Sequence, residues 1–142
     1  MEISTTSQMV GDGGEFYVAA MLNLHGIRTA VMPKGWPGYD LIANTDSGVQ
    51  RIQVKTADCS RQEWKRSASM QFWNPNDTAH YDWLALVLWS PELHSVKAWI
   101  IPAAIAEAHR HTSKTREILY AKLTGQLAGF ESNWRLESKE VV

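Results

Sequence analysis

The segment from residue 39 to residue 56 constrains the fold more than any other part of the chain. Two short runs with β-branched residues, 39–44 and 49–56, flank a polar sequence of four residues, Thr45-Asp46-Ser47-Gly48. These polar residues tolerate the dihedral angles of a tight turn. The pattern therefore predicts a β-hairpin.

The second strand of this hairpin has two chemically different faces. Successive side chains of a strand point to opposite faces. Arg51, Gln53 and Lys55 therefore share one face, whereas Ile52 and Val54 share the other. We expect three polar side chains to form one ridge on the strand.

The register of the hairpin decides whether Asp40 joins that ridge. If residues 46–47 form the turn, Asp40 lies opposite Gln53, and if residues 47–48 form it, Asp40 lies opposite Lys55. Directly opposed Cβ atoms are roughly 4.5–5.5 Å apart, which lets a carboxylate and an amide oxygen reach one hard cation. A three-residue loop without a bulge instead places Asp40 opposite an apolar residue and separates these groups.

The N-terminal segment predicts a helix over residues 4–25, begun by a Thr or Ser cap. Apolar residues at helical spacing indicate its buried stripe, namely Met9, Phe16, Ala20 and Leu24. Glycines at 11, 13 and 14 each cost roughly 1 kcal/mol relative to Ala in a helix, which indicates that another segment approaches the backbone closely there. The alternative is a loop over residues 11–14, with the helix beginning near Glu15.

The rest of the chain predicts further strands and short helices. A strand is expected over residues 27–32, and residues 83–89 are apolar throughout, as in a central strand buried on both faces. Residues 96–101 form the next strand, and Pro102 opens a helix to about residue 110. In the tail we expect a strand at 117–122, a short helix at 123–130 and a closing contact at 134–136.

Composition limits the organisation and the location of the protein. With 142 residues, of which 44% are hydrophobic, we expect one domain spanning residues 1–142. The single cysteine permits no intrachain disulfide, and no run approaches the ~18 apolar residues of a membrane span. We expect a soluble, cytoplasmic protein that does not enter a membrane.

The net charge of −1 indicates no global attraction to nucleic acid, so any such surface must be local. Residues 51–66 hold a basic patch, with five basic side chains against two acidic ones. If the protein binds nucleic acid, four of these basic residues are the expected phosphate contacts: Arg51, Arg61, Lys65 and Arg66. Trp36, in the loop at residues 33–38, is a candidate for contact with a base.

The order of these features resembles the PD-(D/E)XK nuclease superfamily. The pattern is a helix with Glu15, a strand, a strand with Asp40, a strand with Gln53-x-Lys55 and then a buried strand. It is most similar to Holliday-junction resolvases, Mrr-type restriction nucleases and homing endonucleases of the Gln-x-Lys type. The resemblance implies an α/β fold with a restriction-endonuclease-like mixed central β-sheet flanked by helices.

The resemblance also implies a role for each motif residue. Asp40 and Gln53 become ligands of Mg²⁺, with Mn²⁺ as a substitute, and Glu15 becomes an auxiliary ligand. Lys55 becomes the cation that orients the attacking water. Two departures from the family pattern are that Gly38-Tyr39 precedes Asp40 and that Gln53 replaces an acidic residue, which leaves one fewer negative charge to hold the cation.

The implied function is a metal-dependent endonuclease acting on duplex or branched DNA, in restriction, recombination, repair or a mobile element. We expect a homodimer, because cutting two strands needs two sites. The alternative is a catalytically inactive module of the same fold that binds DNA or a protein partner. A structural alternative is also open, in which Asp40 makes a turn contact, Gln53 and Lys55 form a solvated strand face, and Glu15 is an acid at the helix start.

Overall fold

A mixed five-stranded sheet forms the centre of the molecule. The computed structural model describes residues 6–58, 69–71, 81–91, 93–111, 117–139 and 141. The strands lie in the spatial order β1-β2-β3-β5-β6. Their bounds are β1 Arg28–Val31, β2 Leu41–Thr45, β3 Gly48–Asp58, β5 Trp83–Ser90 and β6 Ser95–Pro102.

Only one pairing in this sheet is parallel. The first three strands form antiparallel pairs, β3 runs parallel to β5, and β5 is antiparallel to β6. All side chains from Trp83 to Leu88 are buried. The predicted central strand is thus confirmed, since layers cover both faces of β5.

The first of these layers is helix α1 (Ser7–Leu24). Thr6 caps its N-terminus, because Oγ1 of Thr6 accepts a hydrogen bond from the backbone N–H of Met9 at 3.2 Å. The predicted apolar stripe of α1 is wrong, because Met9, Phe16 and Leu24 are all more than half exposed. The helix instead buries a narrower face that contains two small residues: Gly14, Val18, Ala19 and Leu22.

Gly14 explains why this narrower face is the buried one. A Cβ atom at Gly14 would lie 1.8 Å from Oγ1 of Thr56 on β3. Only glycine therefore lets the helix come this close to the sheet. The expected close approach is confirmed at Gly14, whereas a Cβ at Gly11 or Gly13 would meet nothing within 4 Å. The alternative of a loop over residues 11–14 is wrong, since α1 is continuous there.

Short elements form the second covering layer. They are β4 (Ser69–Gln71), α2 (Ala103–Ala108), β7 (Glu117–Leu119), α3 (Tyr120–Leu123) and a 3-10 helix at Ala128–Phe130. Strands β4 and β7 form a separate antiparallel pair. Apolar side chains of this layer pack on Leu84, Leu86 and Ile101 of the sheet. The result is a single-domain α/β fold with a mixed sheet between helical layers.

Three details of the C-terminal half differ from the sequence expectations. Pro102 ends β6 and caps α2 instead of occupying its first turn. The expected strand at 117–122 ends at Leu119. The expected helix at 123–130 is wrong, because α3 ends at Leu123 and only residues 128–130 form a 3-10 helix. None of the described helices combines the length and the apolarity that a membrane crossing requires.

Candidate active site

A two-residue turn sets the register of the β2–β3 hairpin. Thr45 pairs with Gly48, so Asp46 and Ser47 form the turn. The Thr45 side chain stabilises it, because its Oγ1 accepts from the Ser47 backbone at 3.2 Å and donates to the Gly48 carbonyl at 2.8 Å. Gly48 has φ +108°, a value that favours glycine. The first of the three registers considered above is therefore the one adopted.

This register brings Asp40 and Gln53 together. Asp40 directly precedes β2, and its backbone donates to the Ile52 carbonyl at 2.9 Å. Its Oδ2 accepts two hydrogen bonds, one from Nε2 of Gln53 at 2.9 Å and one from the Val54 backbone at 2.8 Å. Together these contacts fix the position of the Asp40 carboxylate.

Gln53 is buried, with 8% of its surface exposed. The structural alternative, a solvated strand face, is wrong at Gln53, because β3 lies between β2 and β5 rather than at an edge of the sheet. The Gln53 amide donates through Nε2, so its oxygen is left as an acceptor. Within the described residues, no hydrogen bond reaches Oε1 of Gln53.

Glu15 meets Asp40 from helix α1. The two carboxyl groups are hydrogen-bonded to each other. Burial raises the pKa of Glu15 to about 7, and the charge of Asp40 and this hydrogen bond add to the increase. Asp12 acts in the same direction, whereas Lys34 opposes it. Near pH 7, Glu15 is therefore only partly ionised, as expected for two carboxyls in contact.

A cleft of about 490 Å³ opens beside this pair, between the N-terminal half of α1 and the loop that leads from β1 to β2. Asp40 and Glu15 line it. At its rim, Nζ of Lys34 lies 3.5 Å from Oδ2 of Asp12. Trp36 also lines the cleft and is 47% exposed. The structure thus places this predicted base-contact residue beside the acidic pair.

Lys55 lies two residues beyond Gln53 on β3, on the same face by strand alternation. Its side chain is half-buried. It is absent from the lining of the cleft, and within the described part of the chain its ammonium group has no hydrogen bond or ion pair. The structure therefore brings Glu15, Asp40 and Gln53 into one cluster, and among the described residues Lys55 has no hydrogen bond or ion pair to that cluster.

The three clustered side chains offer oxygen atoms to a cation. Carboxylate and amide oxygens are the ligands that hard cations such as Mg²⁺ prefer. Among the described residues, no three His, Cys, Asp or Glu side chains are arranged so that they could hold one metal ion, so the donor set is two carboxyls and one amide. The free Oε1 of Gln53 and the proton held by Glu15 and Asp40 both fit a site that a divalent cation would complete.

The predicted phosphate contacts have different outcomes. Arg51 is engaged by Asp82, with its Nε and Nη2 each 3.2 Å from a carboxylate oxygen and its backbone N 2.8 Å from Oδ2. Arg61, Lys65 and Arg66 lie outside the described residues. Their contacts with DNA stay predictions.

Sequence reasoning had assigned no role to Asp82. Burial would raise the pKa of Asp82, but hydrogen bonds and charge from Arg51 outweigh it and lower that pKa. The Asp82 carbonyl also accepts from the Ala103 backbone at 2.9 Å. Asp82 thereby ties the start of β5 to β3 and to α2. The only feature of the sequence that could have indicated this role is the position of Asp82 immediately before the apolar strand.

Comparison with solved structures finds this fold in a bacterial homing endonuclease, I-Ssp6803I. The match has a TM-score of 0.68 and covers 94% of this chain and 91% of that chain, at 14% sequence identity. At this identity the similarity establishes a shared fold alone. No protein-family model and no curated protein matches the chain. The predicted fold, a nuclease-like mixed sheet flanked by helices, is confirmed.

Proposed function

We propose that this protein is a metal-dependent DNA endonuclease of the PD-(D/E)XK type, in its Gln-x-Lys variant. The observation that carries the proposal is the cluster of Glu15, Asp40 and Gln53 beside an open cleft. The fold shared with a homing endonuclease supports it. Holliday-junction resolvases and Mrr-type nucleases are the further families with which we group the chain.

In this proposal, Asp40 and Gln53 hold Mg²⁺ and Glu15 completes the ligand set. The cation, when bound, stabilises negative charge on the phosphate and makes water nucleophilic near neutral pH. The contacts to Oδ2 from Gln53 and Val54 hold the Asp40 carboxylate in place before the cation arrives. Such preorganisation reduces the reorganisation needed at the site.

Glu15 and Lys55 have separate tasks. The carboxyl pair of Glu15 and Asp40 gives up its shared proton when a cation replaces it, because metal ligands bind in the deprotonated form. Lys55 lies on the same face of β3 as Gln53, two residues on. From there its ammonium group orients the attacking water and stabilises charge on the phosphate.

DNA enters at the cleft mouth, where Lys34 and Trp36 are exposed. Ammonium groups bind backbone phosphates, and an exposed indole ring stacks on a base. Arg61, Lys65 and Arg66 add phosphate contacts, and Arg51 joins them through the exposed part of its side chain, which is 40% accessible beside Asp82. Two copies of the chain act together as a homodimer in the cytoplasm.

A cleavage assay tests this function. Wild-type protein should cut plasmid, single-stranded or four-way-junction DNA in the presence of Mg²⁺ or Mn²⁺ and not in EDTA. Asp40→Asn and Lys55→Ala should lose cleavage while retaining DNA binding. Two control variants should stay active. Glu131→Gln removes one negative charge, as Asp40→Asn does, and Lys97→Ala removes one positive charge, as Lys55→Ala does, but neither residue lines the cleft.

One observation favours a second candidate, a catalytically inactive module of the same fold that binds DNA or a protein partner. The described residues hold no group of three acidic, Cys or His side chains that could bind a metal ion. A neutral amide therefore takes the place of a negative ligand at Gln53. DNA binding without cleavage of any substrate, with either metal, would establish this second candidate instead.

A further inference from the structure

A second cleft of about 490 Å³ lies at the other end of the hairpin, next to its turn. Polar side chains from the hairpin and from the C-terminal segment line it, among them Asn44, Asp46, Ser47, Gln50 and Arg135. None of these residues belongs to the candidate active site. The cleft therefore needs its own explanation.

The backbone around Arg135 is built to hold that side chain at the cleft. Ser132 and Leu136 have φ values of 55° and 53°, in the left-handed region that residues with side chains rarely adopt. Buried Asn133 stabilises this conformation, since its amide donates to the carbonyls of Ile100 at 3.0 Å and Glu137 at 2.9 Å. Its Oδ1 accepts from the Glu137 backbone at 3.1 Å.

Arg135 itself has no charged partner. Its side chain is exposed, and among the described residues it forms no ion pair and no hydrogen bond. The guanidinium group of Arg135 is therefore available to a ligand in the cleft. Guanidinium groups suit phosphate oxygens, which they bind through two parallel hydrogen bonds.

Gln50 adds a donor to the same cleft. Its Oε1 accepts from Nε1 of Trp83 at 2.9 Å, so the amide orientation is fixed. The remaining polar group of Gln50 is its NH₂, which can only donate hydrogen bonds. Ser47 and Asn44 supply further donor groups from the turn and from β2. The neutral polar residues of the cleft therefore also suit an anionic ligand.

Edge strand β1 joins this second cleft to the first. Gly26 and Ile27, directly before β1, line the second cleft, and Val31 and Met32 line the first. Arg28 is exposed between the two clefts. A polyanion that follows the edge of the sheet would meet Lys34 at one end, Arg28 in the middle and Arg135 at the other end.

We propose that the Arg135 cleft binds a DNA backbone phosphate away from the cleaved bond. This inference rests on the proposed endonuclease function. Asp40 lines the first cleft and Thr45, at the far end of β2, lines the second; these two residues are five positions apart, which at about 3.3 Å per residue spans roughly 17 Å. With a rise of about 3.4 Å per nucleotide of a strand, that distance corresponds to roughly five base pairs.

Asp46 is the acid that lines this cleft, and it weakens the attraction for phosphate. It forms no ion pair with Arg135. Removing its charge should therefore strengthen DNA binding without breaking a contact in the protein. Variants at Asp46 and Arg135 should thus shift DNA affinity in opposite directions.

Fluorescence anisotropy with a labelled duplex in EDTA, over a series of salt concentrations, tests the proposal. Arg135→Ala should bind several-fold more weakly, and the slope of log affinity against log salt should flatten by about 0.9. Arg135→Lys keeps the charge and should keep the slope. Asp46→Asn should bind more tightly. Lys97→Ala, an exposed charge removed from β6, should match wild type.

Phosphate ethylation interference then locates the contact. On wild-type protein, modification of a phosphate about five base pairs from the cleavage position should reduce binding, and this interference should disappear in Arg135→Ala. Wild-type DNA affinity and an unchanged salt slope in Arg135→Ala would overturn this inference while leaving the endonuclease proposal intact. Failure of the wild-type protein to bind any DNA would overturn both.

Discussion

Replacement of Gly14 by alanine should destabilise the protein, although alanine is the better helix former. In an open helical position, the change from Gly to Ala stabilises by about 1 kcal/mol. At Gly14 the new Cβ would lie 1.8 Å from Oγ1 and 2.9 Å from Cβ of Thr56. Overpacking of this kind costs about 1–3 kcal/mol, because the helix must move away from the sheet.

Gly13→Ala is the matched control. It adds the same methyl group to the same helix, where nothing lies within 4 Å of it. We expect Gly13→Ala to raise the free energy of unfolding by up to about 1 kcal/mol, and Gly14→Ala to lower it by about 1–2 kcal/mol. Urea denaturation followed by Trp fluorescence measures both, since the chain has seven Trp.

A second substitution links the effect to Thr56. Thr56→Ala removes a buried hydroxyl that has no hydrogen-bond partner among the described residues. In the double variant with Gly14→Ala, it should restore part of the lost stability, while the 2.9 Å approach to Cβ persists. Equal stability of the Gly13 and Gly14 variants, or no rescue by Thr56→Ala, would refute the close approach of α1 to β3.

Three further predictions concern the cluster and its surroundings. Gln53→Ala should abolish cleavage and, because Gln53 is buried and bonded to Asp40, should also destabilise the fold by about 1 kcal/mol, measured by urea denaturation. Glu15 has its pKa raised from 4.5 to about 7, so the native state retains a proton that the unfolded chain loses. The free energy of unfolding of metal-free protein should therefore fall by about 2 kcal/mol between pH 4.5 and 7, a decline that denaturation of Glu15→Gln should not show. Asp82→Ala removes all three hydrogen bonds from Arg51 to the Asp82 carboxylate and should cost about 1–2 kcal/mol in the same assay. An unchanged midpoint would contradict the role of Asp82 in joining β5 to β3.

Local chemistry was sufficient to predict the hairpin, but it left three registers of the pairing open. In the structure Asp46 and Ser47 form the turn, which selects one of these registers. That register alone sets Asp40 opposite Gln53. The apolar run of β5 correctly predicted a central strand, because a strand that is apolar throughout must be buried on both faces.

Contacts between distant segments were harder to predict. Which face of α1 is buried depends on Thr56 of β3, because a residue larger than Gly14 would collide with it. The side chains of Met9 and Phe16 lie on the exposed side of the helix. The burial of Gln53 depends on strand β5, which lies next to β3 in the sheet although the two strands are far apart in the sequence. The Arg51–Asp82 pair joins residues 31 positions apart in sequence, for which no local pattern exists.

Metal titration by isothermal calorimetry tests the central claim most directly, since it examines the ligand set independently of DNA and of cleavage. Wild-type protein should bind Mg²⁺ or Mn²⁺ and release protons near pH 7, as Glu15 gives up the proton it shares with Asp40. Asp40→Ala and Gln53→Ala should each lose most of this binding, whereas Gln53→Glu should bind the cation at least as tightly as wild type. Wild-type metal affinity in both alanine variants would contradict the assignment of the site.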